Sequence, residues 1–263
     1  MVDILLPQGL EALAAASRQR LILAFDFDGT LAPIVDDPRA ARLGTSTRGL
    51  LRVLSLLSPC AVISGRARAD VMSRLGSPAL AAVIGNHGSE PSDAPAPAAL
   101  RARLRGWAAA FREATDPEEV QVEDKGYSIA VHYRRSRSSE KTARRIWAVA
   151  RLLSDARVVE GRAVLNVVPH ETPTKGDAVA RFAARYPGRP AAFIGDDESD
   201  EPAFRAPAVT LPIRVGRHAR SGARYFLRAQ NCIDTLLREV IRAKVRADGL
   251  PEEWLAFISE GGR

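Results

Sequence analysis

Apolar and polar residues follow two different rhythms along this chain, and the change between them divides it. Residues 9–19 carry leucine and alanine at helical spacing, which predicts an amphipathic helix. The run Leu21–Phe27, rich in branched and aromatic residues, predicts a strand. Thr45–Leu57 repeats leucines at helical spacing, Cys60–Ser64 predicts a second short strand, Arg68–Arg74 a helix and Ala81–Ile84 a third strand. Short apolar runs alternating with helices predict parallel strands joined by crossover helices. Ligands then bind beyond the carboxyl ends of the strands.

The segment Pro91–Pro97 is a linker by composition, and the rhythm changes after it. A helix is predicted from about Ala98 to Thr115, then strands Val120–Glu123 and Tyr127–Arg134 around a tight Asp124-Lys125-Gly126 turn. A helix over Ser139–Leu153 and a second hairpin, Arg157–Glu160 and Ala163–Val168 around Gly161, complete an α-β-β-α-β-β order. From Lys175 the parallel rhythm returns, with a helix to Arg185, a strand Ala191–Gly195 and shorter elements beyond. No internal repeat or extended low-complexity tract interrupts it. The expected fold class is α/β: a doubly wound parallel-sheet core, residues 1–93 and 171–263, into which an α/β domain of residues 94–170 is inserted.

Two of the predicted core strands end in acids. Asp26-Phe27-Asp28-Gly29-Thr30 closes the first. An Asx-type turn accounts for such a pentapeptide alone. Two carboxylates at a desolvated sheet edge nevertheless call for a positive partner, which Mg²⁺ would supply. Phe193-Ile194-Gly195-Asp196-Asp197-Glu198-Ser199-Asp200 closes the second; its plain reading is an acidic helix start. Two acidic strand ends in one parallel sheet can converge at one rim, and together they describe an oxygen-ligand site for Mg²⁺. Ser64-Gly65-Arg66 ends the strand between them, where a hydroxyl and backbone N–H groups can hold a phosphate; it is also an ordinary turn. Lys175, in Pro173-Thr174-Lys175-Gly176-Asp177, either simply opens a helix or brings a point positive charge to the phosphate and the carboxylate.

Composition narrows the classes. The 263 residues are 46% hydrophobic and 26% charged, which suits one large or two modest soluble domains. The one strongly apolar N-terminal stretch, Leu21–Phe27, is too short to span a membrane and runs into acids, and no leader pattern precedes it, so no signal peptide is expected. Cys60 and Cys232 are too few for a disulfide framework or a thiolate metal site, which makes a reducing cytoplasm the default. The net charge of +7 raises nucleic acid as a partner. Arginines spread along the chain, no basic tail and 6% aromatics speak against it.

The DxDGT, Ser, Lys and GDDxxD segments stand in the order found in haloacid dehalogenase-like (HAD) phosphatases, which this chain resembles. It resembles more closely the trehalose-6-phosphate phosphatases. That rests on Asp26 to Ile34 with Asp37-Pro38, Ile63-Ser64-Gly65-Arg66, Gly85-Asn86-His87-Gly88-Ser89-Glu90, Val122 to Gly126 with His132-Tyr133-Arg134, Lys175-Gly176 and Gly195 to Glu201. The resemblance implies a HAD-like core with a C2-type α/β cap. It implies a Mg²⁺-dependent phosphatase that hydrolyses trehalose 6-phosphate through an aspartyl-phosphate. In that scheme Asp26 is the nucleophile and Asp28 the acid and base. Asp26, the Asp28 carbonyl and Asp196 hold Mg²⁺, Asp197 and Asp200 support them or Lys175, and Ser64, Gly65 and Lys175 hold the phosphate.

Strand alternation places Gln121, Glu123 and Lys125 on one face of the first inserted hairpin. Ser128, Ala130, His132 and Arg134 share a face opposite to Ile129, Val131 and Tyr133. Such a polar face is either simply solvated or suited to sugar hydroxyls, and the resemblance favours the sugar. Arg66 and His87 are expected to line the cleft. One segment departs from the family, whose usual Glu-Val-Arg-Pro-like stretch is here Asn166-Val167-Val168-Pro169. Asn166 is no anionic acceptor, which keeps open a phosphatase of another sugar or sugar-acid phosphate. A catalytically idle sugar-phosphate-sensing domain is the rival from another class. A monomer acting on a small-molecule sugar phosphate, with no nucleic-acid or membrane partner, is expected.

Overall fold

The computed structural model describes residues 1–76, 78–153, 155–161 and 163–251, and the chain divides into two compact units, Met1–Pro91 with Thr174–Arg263, and Ser92–Pro173. The first unit contains β1 (Val2–Asp3), α1 (Pro7–Arg18), β2 (Ile22–Phe25), α2 (Thr45–Leu57), β3 (Cys60–Ile63), α3 (Arg68–Leu75) and β4 (Ala82–Ile84). The second contains α4 (Ala98–Ala114), β5 (Gln121–Asp124), β6 (Ile129–His132), α5 (Ser139–Arg151), β7 (Ala156–Gly161) and β8 (Val164–Pro169). The chain then returns to the first unit with α6 (Lys175–Ala184), β9 (Ala191–Gly195), α7 (Glu201–Phe204), β10 (Val209–Val215), β11 (Tyr225–Leu227) and α8 (Ile233–Asp248). Among the described residues no helix is long and apolar enough to cross a membrane.

In the first unit seven strands form one parallel sheet in the order β1-β11-β10-β9-β2-β3-β4. Both faces of this sheet are covered. Leu23, Phe25 and Val62 pack with Leu51 and Leu54 of α2 and Leu237 and Ile241 of α8. Ile22, Ala24, Ala61 and Ile63 pack with Ala178, Val179 and Phe182 of α6. Burial on both faces is why these strands read as continuous apolar runs. The stretch beyond Gly195 is not made of short elements alone, because β10 has seven residues and α8 sixteen. α8 buries Ile233, Leu236, Leu237, Val240, Ile241 and Val245, a helical-period stripe. The first helix begins at Pro7, where the ring's fixed φ suits the first turn.

In the second unit four antiparallel strands are ordered β5-β6-β8-β7. Ile129, Val131, Leu165 and Val167 face Leu104, Trp107 and Phe111 of α4 and Ile146 and Ala150 of α5. Register puts Glu123 opposite Ala130, Gln121 opposite His132, and Ala130 opposite Asn166. Gln121, Glu123, His132 and Asn166 therefore share the sheet face turned away from that apolar cluster.

Candidate active site

Three neighbouring strands, β9, β2 and β3, run in the same direction, so their carboxyl ends reach one rim. Asp26 follows β2, Ser64 follows β3 and Asp196 follows β9. Asp26 donates its N–H to the Ile194 carbonyl at 2.8 Å, which carries the ladder one residue past the strand and fixes where the side chain starts. Lys175 enters from the first position of α6. A reciprocal cap between Thr174 and Asp177 sets that position by satisfying helix-end donors.

The Lys175 ammonium lies 2.8 Å from Asp26 Oδ1 and 2.7 Å from Asp200 Oδ1, and all three side chains are buried. Burial works against the Lys175 charge, but the Asp200 and Asp26 carboxylates push its pKa up. Burial pushes the Asp26 carboxyl well above the usual carboxylate range against the pull of Lys175, and the charges of Asp200 and Asp196 add to the rise. Asp200 Oδ2 accepts the N–H groups of Asp196 (2.9 Å) and Asp197 (3.0 Å), so this carboxylate orients both the lysine and the acidic loop. The Asp197 carboxylate caps the same turn through Glu198 N–H at 2.8 Å.

Carboxylate oxygens of Asp26, Asp196 and Asp200 lie within 4.8 Å of one another. Three carboxylates face one ammonium, and burial together with the Asp200 charge pushes the Asp196 pKa up to about 7. An all-oxygen donor set with excess negative charge fits a hard divalent cation. Gly29 lets the loop close over this group: its φ is +76°, and a Cβ there would stand 2.1 Å from Asp196 Oδ2. Thr30 Oγ1 donates to Asp196 Oδ1 at 3.2 Å. Thr30 was in view within the DGT triplet, but only the fold reveals its partner, 166 positions away.

Asp28 is turned to a different partner. Arg66 grips it as a fork, Nε to Oδ2 at 2.6 Å and Nη2 to Oδ1 at 2.7 Å. The same guanidinium donates to Asp70 Oδ2 at 2.9 Å and to the Pro38 carbonyl at 2.8 Å. Asp70 escaped sequence reasoning, although an Arg66–Asp70–Arg74 series at helical spacing announces a charge ladder. Ser64 is fully buried, its N–H goes to the Ile84 carbonyl at 2.9 Å and its Oγ accepts the Arg66 N–H at 3.2 Å, which leaves the hydroxyl proton as the group it can offer. His87 packs on Gly65, where a Cβ would come within 2.4 Å of the imidazole Cε1. Asn86 and His87 both hold left-handed backbone, φ 48° and 57°. Glu90 fixes this turn by accepting from Asn86 Nδ2 and Arg68 N–H, each at 2.7 Å.

The remaining sequence candidates lie in the second unit. His132 Nε2 and Glu123 Oε2 are 2.9 Å apart. Lys125 Nζ donates to Asn166 Oδ1 at 3.1 Å, and Asn166 Nδ2 reaches the Val159 carbonyl at 3.4 Å. Arg134, just beyond β6, is exposed.

The family model described as trehalose-phosphatase matches residues 24–220. A trehalose-phosphate phosphatase of Mycobacterium tuberculosis is 35% identical over 276 aligned positions, covering 92% of this chain and 68% of the relative. One from Mycobacterium ulcerans is 34% identical, covering 83% and 60%. Among solved structures, the C-terminal domain of C. albicans trehalose-6-phosphate phosphatase superposes with a TM-score of 0.72 at 21% identity, covering 92% of this chain and 98% of that one. The Aspergillus fumigatus trehalose-6-phosphate phosphatase gives 0.60 at 24% identity, covering 88% and 96%. At those identities the structural likeness speaks for the fold.

Proposed function

The chain belongs to the trehalose-phosphatase family, and from that premise we propose that it hydrolyses trehalose 6-phosphate to trehalose and phosphate. The observation that carries the reading is Lys175, held between Asp26 and Asp200 beside Asp196 at the carboxyl ends of β2 and β9. Asp26 attacks phosphorus in line and forms an aspartyl-phosphate as the sugar oxygen departs. Lys175, 2.8 Å from Asp26 Oδ1, holds that carboxylate and offsets negative charge at the reacting group. Asp28 protonates the departing oxygen, which is too basic to leave as an alkoxide. It then takes the proton of the water that releases phosphate from Asp26. The Ser64 hydroxyl and Gly65 N–H hold phosphate oxygens. Mg²⁺, bound by Asp26, Asp196 and the Asp28 carbonyl, would supply positive charge against the phosphate dianion.

Phosphate release across a panel of sugar phosphates, with trehalose 6-phosphate the best substrate, is the test of this reading. A panel without that preference would reject it. The metal assignment makes a separate prediction. EDTA abolishes activity, added Mg²⁺ restores it and raises the melting temperature, and Asp196→Ala weakens both responses. Full activity in chelator would exclude the cation.

A second reading, a phosphatase of another sugar or sugar-acid phosphate, draws on Asn166, whose neutral amide faces Lys125 where the family usually has an acid. Lys125→Ala is expected to lower kcat/KM on trehalose 6-phosphate about ten- to a hundredfold and to spare an aryl phosphate. Binding energy from the non-reacting sugar is then no longer available to position the phosphate. Asn166→Glu separates the two readings. Under the second it raises efficiency on trehalose 6-phosphate relative to other sugar phosphates; under the first the preference, already strong, stays put. The same proposal has the protein working in the cytoplasm as a monomer, without a nucleic-acid partner. Light scattering checks the monomer, and a DNA titration over a range of salt checks the nucleic-acid point.

A further inference from the structure

Asp28 is asked to hand a proton to one oxygen and take it from another, so its direction matters as much as its chemistry. A short side chain on an exposed turn has no direction of its own. Asp28 is 39% exposed, and Arg66 is the group that occupies both of its oxygens. The fork is itself anchored. Arg66 Nη1 binds Asp70 Oδ2, and Asp70 Oδ1 accepts Arg74 Nε at 2.8 Å. Arg74 Nη1 reaches the carbonyls of Arg39 and Ala41 at 2.9 Å each, and Arg66 Nη2 reaches that of Pro38. The Arg66 guanidinium also lies 5.7 Å from the Phe27 ring centroid. One chain of guanidinium contacts, two-pronged at Asp28, therefore runs from the carbonyls of residues 38–41 through α3 to Asp28.

We propose that Arg66 is a positioning residue for Asp28, with Asp70 and Arg74 as its anchor, rather than a contact to the substrate. The proposal rests on the reading of Asp28 as the proton-transfer group. Because Arg66 acts through Asp28, its loss changes the rate of the bound complex more than binding. Because the anchor is shared, weakening it at Asp70 has the same effect in smaller measure.

The test combines kinetics on trehalose 6-phosphate and 4-nitrophenyl phosphate with a double-mutant cycle. Arg66→Met is expected to lower kcat on trehalose 6-phosphate at least about tenfold, with KM changed less than about threefold. Arg66→Lys, which keeps the charge but lacks the fork, regains only part of that loss. Asp70→Asn, at a 36% exposed position, lowers kcat about two- to fivefold and serves if Arg66→Met folds poorly. On 4-nitrophenyl phosphate, whose leaving group needs little protonation, Asp28→Asn retains measurable activity. In that background Arg66→Met is expected to cost less than about twofold. A large rise in KM with kcat intact would make Arg66 a substrate contact and overturn the proposal. Additive losses in the cycle, with Asp28→Asn impaired, would overturn the positioning role alone. Undiminished turnover of the sugar phosphate by Asp28→Asn would remove the role of Asp28 itself, and the proposal with it.

Discussion

Asp26→Asn is expected to abolish phosphate release, by at least about 10⁴-fold, in a protein that folds normally. The substitution keeps the shape of the side chain and an oxygen that can accept from Lys175 at the observed 2.8 Å. It removes the anionic nucleophile, and an amide does not form the acyl-phosphate bond. Its effect on stability runs the other way. Asp26 is buried with Asp196 and Asp200, and burial and those like charges already disfavour its ionised form. Neutralising it relieves repulsion, so the melting temperature without metal stays level or rises. Activity and melting are read on the same preparation. Near-normal turnover would reject Asp26 as nucleophile, and a collapse of melting would show that its charge is needed by the fold.

Lys175→Met carries the largest stability effect expected of any single change in the site. The ammonium is 2% exposed and bonds two carboxylates of which one, Asp200, is wholly buried. Replacing it with an apolar chain of similar length leaves Asp26 and Asp200 buried without their counter-charge. Breaking a buried pair in this way costs about 3–5 kcal/mol. Turnover is lost as well, since Asp26 loses both its orientation and the positive charge beside the phosphate. Asp200→Asn added to Lys175→Met restores part of the stability, because an amide oxygen can still accept from Asp196 and Asp197 N–H, and restores none of the activity. Denaturant unfolding of the three variants separates these effects. A Lys175→Met protein as stable as the wild type would mean that the site does not depend on this lysine for its charge balance.

Much of the core was legible because its signals are local. A strand buried on both faces must be apolar throughout, and a helix must show its stripe within a few turns. The strands at Leu21–Phe27, Cys60–Ser64 and Ala191–Gly195 and the helices between them follow from that. α8 was legible by the same rule, since Leu236, Leu237, Val240 and Ile241 recur at helical spacing, and an expectation of short elements overlooks it. β10 was harder, because Pro212 and Arg214 interrupt its pattern while Ile213 and Val215 are buried among neighbouring elements. β1 has two residues and exists only because β11 lies beside it.

By itself, the sequence determined that acids and a Ser-Gly turn follow apolar strands, that Lys175 opens a helix, and that a domain of different rhythm interrupts the core. Each of these is a statement about neighbours along the chain. Only the tertiary structure decided that Lys175 lies between Asp26 and Asp200, that Thr30 supports Asp196, and that Arg66 grips Asp28 from 38 positions away. The physical reason is that charge pairing depends on distance and burial, and neither exists until the parallel strands align their ends. Spacing supplied the candidate groups, and the sheet assigned their partners.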